Sequence, residues 1–550
     1  MRASKGLIGV ALVLVVGCGE AAVSPPAAPS APGPAASSPP GPAPAKPGPA
    51  ADPFAVPAGP RDELTKAGPV PLRLDAWDSA IKAKGVAAPL PECAAFAKRA
   101  AAAPPPADLV AALSTKDGKQ VDAMLLALEP KLDAREPGLV RALRADLAPP
   151  HCADVLVDPY LTAHRTIVSR ASHVLVGLSL AAKLDRTGKG PPAMGAIKDK
   201  EKVKAFINGP LKTWMVEQAT AIETLASGGA GLAGYGRGLA ALSAGNAEMR
   251  LVESIRSAPV PPTWDPELKA IYQASLDEAL EPRKKRGRDA ALVGLGDLAQ
   301  AGSLESARTA AAFGLLTSLY GGRRILELAE LLVPRPADPV PATPLQIAIG
   351  AVAPYWVDVL DLRGEGDADA AVALTHGVPL SLRAAFASAP PDTKPETRAA
   401  YARARFHMGQ LAWRRVDFVE AAHAAKQGST PEDRLLLALS LALAQGPNGA
   451  AEMMRAPSAS ALELRHTEAL DALVAEGGPL AGWAAFDAAH LRSLSPPEGS
   501  EAGPYFRDVA ARFRKAESLL ADPGKKKLAG KRADEADAIV ATLDQKPPKP

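Results

Sequence analysis

The stretch that decides the fold class is residues 265–280, which read DPELKAIYQASLDEAL. Asp265 can cap a helix, and Pro266 suits the first turn because that position needs no amide hydrogen. Apolar residues then recur at spacings of three and four, which places them on one side of a helix. These residues are Leu268, Ile271, Tyr272, Leu276, Ala279 and Leu280. The stretch therefore predicts an amphipathic α-helix.

Similar patterns on both sides of this stretch extend the helical interpretation. Leu211–Ala226 carries an apolar stripe, and Leu304–Leu319 and Ile325–Leu332 flank Gly321-Gly322, which predicts a hairpin of two antiparallel helices. The aromatic fraction is only 4% and alanine is abundant, a composition that suits closely packed helices better than strands. The sequence therefore predicts an all-α fold, and its 550 residues suffice for several units of about 150 residues each.

A repeat is visible between Glu396 and Leu491. Turns near Arg415, at Gly446-Pro447 and at Gly478-Pro479 recur at intervals of about 32 residues, and each separates two helical segments. Residues 430–433, TPED, supply a cap, a first-turn proline and early acidic residues for one of these helices. A period of this length predicts helical hairpins stacked as an α-solenoid.

The first of these hairpins resembles a tetratricopeptide repeat. Met408-Gly409, Phe418 and Ala421 match the Leu-Gly, Tyr and Ala positions of that family. The resemblance implies stacked hairpins and a binding groove, but it names no binding residues. Three positions depart from the family pattern because they lack its larger apolar or aromatic residues: Arg405, Ala412 and Ala425.

The N-terminus has the layout of a secretory signal. Arg2 and Lys5 precede an apolar run from Leu7 to Val16, and the run ends at Gly17-Cys18. About ten apolar residues are too few for a transmembrane helix, which needs roughly 20. The small residue followed by cysteine resembles the lipobox of bacterial lipoproteins, which implies acylation of Cys18 and cleavage before it. An ordinary cleaved signal with Cys18 near the site by chance is the alternative.

Position 19 bears on the destination of such a lipoprotein. Gly19 stands where an Asp in the Gram-negative pattern favours retention in the inner membrane. The resemblance therefore implies a lipid anchor in the outer membrane, with the protein on the periplasmic side or at the cell surface. The compartment and the net charge of only +3 both argue against a nucleic-acid partner.

A linker follows the predicted anchor. From Ala21 to about Pro60 the chain is almost wholly Pro, Ala, Ser and Gly, so it cannot bury enough apolar surface to fold by itself. As polyproline II it would reach roughly 120 Å. We expect a disordered tether, and a proline-rich ligand for a partner domain is the alternative.

The two remaining cysteines, Cys93 and Cys152, are a candidate disulfide pair because an exported protein meets an oxidising compartment. Neither belongs to a CxxC motif. His151 beside Cys152 is too little for a zinc site, which needs about four ligands. We therefore expect no metal site.

Motifs for catalysis or cofactor binding fail on their context. Gly229–Gly234 matches GxGxxG, but a predicted helix precedes it where the dinucleotide motif needs a strand. Lys183 stands where a P-loop ahead of Gly188-Lys189 needs its first glycine. Asp367 and Asp369 begin like a calcium loop, but Ala371 occupies the next ligand position. The sequence predicts no cofactor and no catalytic residue.

The histidines and the basic run are less specific still. The pairs His164 with His173 and His407 with His423 lack metal-ligand spacing, and the sequence contains neither HExxH nor GxSxG. The basic run Arg283–Arg288 is interpreted as a solvated helix junction. Contact with anionic lipid, glycan or an acidic partner is the alternative.

These observations predict a non-catalytic cell-envelope lipoprotein that acts as a helical-repeat scaffold or adaptor. Its partners would be the membrane, through the acyl anchor, and another envelope protein. The alternative is an envelope enzyme whose site is assembled from dispersed residues. The predicted units are a signal peptide (1–17), a linker (18–60), an N-terminal helical region (61–158), a helical domain (159–340), tetratricopeptide-like repeats (341–494) and C-terminal helices (495–545).

Overall fold

A computed structural model describes most of the chain after the predicted linker. The described residues are 52–58, 70–71, 74–193, 200–258, 260, 264–304, 306–320, 325–334, 343–360, 362, 395–455 and 462–544. Within them the fold is all-α, as predicted, apart from a two-residue antiparallel pairing of Val70–Pro71 (β1) with Val168–Ser169 (β2).

The N-terminal part consists of short helices followed by longer ones. Its helices are α1 (Asp75–Ala80), α2 (Pro91–Ala97), α3 (Leu109–Leu113), α4 (Gly118–Asp133), α5 (Leu139–Leu147), α6 (Ala153–Ala163) and α7 (Ser172–Leu184). A 3-10 turn at Pro150–Cys152 leads into α6. Each proline in this part lies at a helix start, in a loop or, for Pro130 and Pro159, inside a helix.

The middle part contains the longest helices. They are α8 (Lys200–Phe206), α9 (Lys212–Gly228), α10 (Gly234–Arg256), α11 (Pro266–Gln300), α12 (Ala307–Tyr320), α13 (Pro344–Gly350) and α14 (Pro354–Val359). A π-helical turn, Ile207–Leu211, joins α8 to α9. The predicted helix after Asp265 is confirmed as the start of α11, and the run Gly229–Gly234 lies between α9 and α10.

The C-terminal part continues with helices of moderate length. They are α15 (Pro395–Ala412), α16 (Arg415–Ala425), α17 (Pro431–Leu443), α18 (Ala450–Arg455), α19 (Glu468–Glu476), α20 (Ala481–Ser493), α21 (Ala502–Leu519) and α22 (Pro523–Asp544). Thr430 begins α17 with the capping box that the sequence predicts, because its side chain accepts from the Asp433 amide while the Asp433 carboxylate bonds the Thr430 amide.

Helices α7, α10 and α11 pack against one another at very short range, with α10 between the other two. A Cβ added to Gly236 of α10 would lie 2.2 Å from the backbone oxygen of His173 in α7. A Cβ added to Gly294 of α11 would lie 2.4 Å from the backbone nitrogen of Leu242 in α10. Glycine is therefore required at these contacts, since the neighbouring backbone fills the space a side chain would take.

The buried apolar side chains form two clusters. The larger runs without a break in the packing from Leu74 to Leu491, and the smaller joins α20, α21 and α22 around Phe486 and Phe513. The described residues on both sides of position 340 contribute to the larger cluster.

Two local predictions are wrong. Ile325–Leu332 does not form a second helix; it contains only a 3-10 turn, Glu327–Glu330, because its carbonyl groups accept bonds from side chains elsewhere in the chain. Arg283–Arg288 is not a helix junction but lies in the middle of α11, which continues through Pro282. Packing along α10 compensates for the hydrogen bond that Pro282 cannot make.

In the C-terminal part, α15 packs on α16, α16 on α17, α17 on α19 and α19 on α20. The short helix α18 instead packs against α11. The residues that resemble a tetratricopeptide repeat lie inside the first hairpin: Met408, Phe418 and Ala421 are buried, and the Phe418 ring fills the space beside Gly409. Ala412 and Ala425 are also buried.

None of the helices in the described ranges combines the length and the apolar character that crossing a membrane requires.

Candidate functional site

The two predicted covalent sites differ in what the structure describes. Cys18 lies outside the described residues. Cys93 of α2 and Cys152 before α6 are both buried and joined by a disulfide, with their Cα atoms 5.0 Å apart. His151 lies beside this bond, but its Nε2 is 3.0 Å from Oε1 of Glu92. Because the disulfide occupies both sulfurs, this trio offers no thiolate to a metal.

A buried charge network connects α4 and α5. The Arg144 guanidinium bonds Asp122 at 2.9 Å and Glu129 at 3.0 Å, and Arg99 bonds the other oxygen of Asp122 at 2.9 Å. Arg141 also pairs with Glu129. The Asp122 and Arg144 side chains line a cleft of about 230 Å³ whose lining contains neither His nor Cys. Three arginines surround the two carboxylates of this network, so neither Asp122 nor Glu129 is free to act on a substrate.

A buried Ser–Lys pair on α7 faces Asp158 of α6. Ser179 Oγ accepts from Trp77 at 3.0 Å and from Lys183 at 3.2 Å, and donates to Asp158 at 2.5 Å. Burial raises the pKa of Asp158, while the Lys183 charge lowers it. Such a pair can serve as nucleophile and base. Here Ser179 is inaccessible and all its bonds are used, so the group stabilises the core.

Ile325–Leu332 forms a seam between the middle part and the C-terminal helices, and we call it the seam segment. Its carbonyl groups accept from Trp413 at 2.7 Å, from Gln410 at 2.8 Å and from His490 at 2.9 Å. The Leu332 amide donates to Oδ1 of Asp487 at 2.7 Å. These four side chains are buried, so they join the C-terminal helices rigidly to the rest of the chain.

The seam segment also contains the best metal-like cluster in the described ranges. Side-chain atoms of Glu327, Glu330 and His490 lie within 4.8 Å of one another. Arg532 of α22, however, bonds both oxygens of Glu330. His490 donates through Nε2 to the Glu327 carbonyl, and burial lowers its pKa. A cation would have to displace Arg532, so this cluster does not favour a metal.

The C-terminal helices carry a further feature, which we call the docked segment: residues Asp52–Ala58 from the end of the predicted linker. Phe54 and Val56 are half-buried and pack against the larger cluster, whereas Ala55 and Pro57 face outward. Sides that alternate in this way are typical of an extended peptide lying on a surface. The described residues thus begin inside the predicted linker.

Two helices make specific contacts with the docked segment. The guanidinium of Arg434 on α17 lies 5.4 Å from the centroid of the Phe54 ring. Nε2 of His423 on α16 lies 3.0 Å from the carbonyl oxygen of Pro57, and because a carbonyl only accepts, His423 donates. The segment therefore crosses from α17 to α16.

The local sequence places both side chains on the outside of the hairpins. Phe418, Ala421 and Ala422 turn the buried face of α16 inward, which leaves His423 only half-buried. Arg434 follows the Thr430 cap by one turn, and Glu476 of α19 pairs with it at 2.6 Å. The hydrogen bond to Glu476 raises the pKa of Arg434 and holds its guanidinium in place against Phe54.

Sequence reasoning named His423 only as an isolated histidine, and it did not name Phe54 or Arg434. The signal it missed is the pair Phe54 and Val56, two large apolar residues two positions apart in a stretch of Pro and Ala. Among the other histidines, His164 stacks on Tyr160 and His173 accepts from the Ala233 amide, so both have structural contacts. Asp367 and Asp369 lie outside the described residues.

The arrangement at α16 and α17 can bind an extended peptide through one backbone carbonyl and one aromatic ring. Neither of these two contacts requires a chemically reactive side chain. No protein family, curated protein or solved structure matches this chain.

Proposed function

We propose that this protein is a non-catalytic scaffold of the bacterial cell envelope, anchored in the outer membrane by acylated Cys18, whose C-terminal helical hairpins bind another envelope protein. The resemblance of residues 2–18 to a lipoprotein signal supports the anchor. The succession of helices α15, α16, α17, α19 and α20 supports tetratricopeptide-like stacking as an α-solenoid.

The observation that carries the binding function is the docked segment. The surface of α16 and α17 already holds a seven-residue segment, which begins with a turn at residues 52–55 and contacts the helices through its backbone at His423 and through the Phe54 side chain at Arg434. Surfaces that combine both kinds of contact bind peptides with affinity and specificity. The carboxylates of Asp122, Glu129 and Asp158 each pair with an arginine or lysine, so none of these three favours an enzyme.

The anchor is tested by fractionation. Cys18→Ala should release the protein from membranes or block its processing, because two or more acyl chains bind a membrane stably whereas one binds only marginally. A Cys18→Ala variant that is cleaved normally and still sediments with membranes would refute the anchor.

The binding function is tested by crosslinking in intact envelopes, followed by pull-down. Point variants are preferable to deletion of 396–491, because deletion would remove the four side chains that bond the seam segment. Lys426→Glu with Glu432→Lys reverses two exposed charges on α16 and α17. We expect this variant to lose a partner that wild type and Arg514→Ala, an exposed change on α21, retain. Equal recovery from all three proteins would contradict the proposal.

A further inference from the structure

The contacts of the docked segment identify the kind of ligand that the α16–α17 surface accepts. Phe54 places its ring under the Arg434 guanidinium, and Val56, two residues later, points to the same side. The Pro57 carbonyl then meets His423. The Phe54 ring, the Val56 side chain and the Pro57 carbonyl define a recognition pattern of aromatic, any residue, aliphatic and backbone carbonyl. Proline at the last position adds rigidity and not a side-chain contact.

The beginning of the docked segment is shaped by a turn. The Asp52 side chain accepts from the Phe54 amide at 3.0 Å, and its carbonyl accepts from the Ala55 amide at 3.1 Å. Pro53 fixes the backbone between them. The turn directs Phe54 toward Arg434, and the prolines lower the conformational entropy that the segment loses when it docks.

The helices α16, α17 and α19 supply the other side of this contact. Glu476 holds Arg434 from the edge of its guanidinium, which leaves a flat face for the ring. His423 donates to the Pro57 backbone carbonyl, so it recognises the path of the chain and not its side chains. His423 and Arg434 thus define the spacing that a peptide ligand of this surface would have to match.

We propose that the α16–α17 surface is a peptide-binding site for extended proline-containing segments of the type Phe-x-Val-Pro, and that residues 52–58 occupy it in cis. The assignment rests on the proposed function, because it names the ligand class of the same surface. A partner with such a segment must displace the docked segment. Displacement would add these residues to the tether and let the helices move farther from the anchor.

Occupancy in cis follows from chain connectivity. A short connection within one molecule creates an effective concentration in the millimolar range, so even a weak ligand stays bound. A free peptide of the same sequence must then compete with its tethered copy. An external peptide must therefore outcompete the resident segment before it can bind this surface.

The test uses the purified full chain with Cys18→Ala and a fluorescent peptide of residues 52–58, followed by anisotropy. Phe54→Ala with Val56→Ala removes the resident side chains, and Ala55→Ser is the matched control because Ala55 faces outward. We expect saturable binding to the double variant and about tenfold weaker binding to wild type and to Ala55→Ser. Peptide that binds all three equally, or none of them, would overturn the assignment.

A second set of variants tests the receptor. Added to the double variant, Arg434→Ala should weaken peptide binding roughly threefold, the size of an exposed cation–π contact. Arg514→Ala should leave it unchanged. Equal effects of the two substitutions would overturn the role of Arg434. If the two substitutions act equally but the protein still captures its partner in intact envelopes, the proposed function stands and only the peptide site is wrong.

Docking of residues 52–58 in cis can be measured separately as a distance. Spin labels at Ala58→Cys and Lys426→Cys should give a narrow distance distribution in the monomer, which broadens when Phe54→Ala and Val56→Ala are added. A distribution equally broad in both proteins would contradict docking. A dimer by light scattering that disappears in the double variant would show exchange between two copies and overturn occupancy in cis.

Discussion

Helices α7, α10 and α11 meet backbone to backbone, whereas α15 and α16 meet through one aromatic ring. At Gly236 and Gly294 the space beside the glycine is filled by the main chain of the neighbouring helix. At Gly409 it is filled by the Phe418 side chain, 2.6 Å from where a Cβ would stand. A main chain cannot move without its helix, but a ring can shift. The central helices should therefore tolerate substitution less than the hairpin.

The α15–α16 hairpin and the N-terminal helices α4 and α5 also bury charge differently. In the N-terminal helices, Arg144 shares two carboxylates, and Asp122 has a second arginine. In the hairpin, Arg405 pairs with Asp417 at 2.5 Å, and both side chains are fully buried. Asp417 also has a second arginine, because Nη1 of Arg414 lies 3.4 Å from its Oδ2, but Arg405 stands where the resemblance to tetratricopeptide repeats would place an apolar residue. Removing one partner should be costly there.

The largest effect is expected for the covalent link in the N-terminal region. Cys93→Ala with Cys152→Ala opens a loop closed across 59 positions, which should lower the free energy of unfolding by about 4 kcal/mol in the chain-entropy model. Denaturant unfolding measures the loss. Reductant should reproduce it in wild type and have no effect on the double variant. Alkylation of both cysteines in protein isolated without reductant would contradict the disulfide.

The buried pair in the hairpin comes next. Asp417→Ala should destabilise the protein by about 3 kcal/mol because it leaves the Arg405 charge buried with less compensation. Arg405→Leu in the same chain should recover most of that loss, since it removes the charge and restores an apolar side chain. Asp534→Ala on the exposed face of α22 should change stability by less than about 0.5 kcal/mol. Additive losses in the double variant would contradict coupling of the pair.

A third test compares glycines directly. Gly294→Ala should cost about 2 kcal/mol, because its Cβ would overlap the Leu242 backbone. Gly409→Ala should cost about 1 kcal/mol, because the Phe418 ring can shift. Gly296→Ala is the matched control on α11: nothing lies within 4 Å of its Cβ position, so the better helix propensity of alanine should stabilise by about 0.5 kcal/mol. If Gly409→Ala unfolds at a lower temperature than Gly294→Ala, the expected difference between the hairpin and the central helices is contradicted.

The smallest expected effect concerns Asp487. Burial raises its pKa far above the usual range, even though the Leu332 amide bonds one oxygen. The unfolded carboxyl ionises near pH 4, so wild type loses stability as the pH rises from there through the folded-state pKa. Asp487→Asn keeps the acceptor without the charge.

We expect Asp487→Asn to match wild type near pH 4 and to exceed it by about 1 kcal/mol at pH 7. Denaturant unfolding at both pH values checks this. The exposed substitution Asp534→Asn should show no such difference. An Asp487→Asn variant that is less stable at pH 7 would mean that the ionised carboxylate stabilises the seam.

Local features of the fold were predictable wherever they depend on neighbours in sequence. The start of α11 after Asp265 and the capping box at Thr430 follow from residues within one turn of each other. The buried partners of Asp487 and Trp413 were not predictable, because they lie in the seam segment, which is distant in sequence. The periodic pattern of 325–332 indicated a helix, but tertiary hydrogen bonds replaced the helical ones.

The candidate binding surface shows the same limit. Composition predicts that residues 21–60 cannot bury a core alone, but it gives no sign that Phe54 and Val56 pack against another region of the chain. Phe54 meets Arg434 only because the hairpins bring α16 and α17 together. A short apolar pattern in a proline-rich stretch predicts docking only when the surface that it contacts is known.

Binding of an envelope partner to the α16–α17 surface is tested most directly by site-specific photocrosslinking in living cells. A photoreactive residue at Glu432 on α17 lies on the proposed surface, and one at Glu535 on α22 lies on exposed helix elsewhere. The account predicts a discrete crosslinked adduct with another envelope protein from position 432, stronger when Phe54→Ala and Val56→Ala remove the docked segment, and none from position 535. The same adducts from both positions, or none from position 432 in either background, would contradict it.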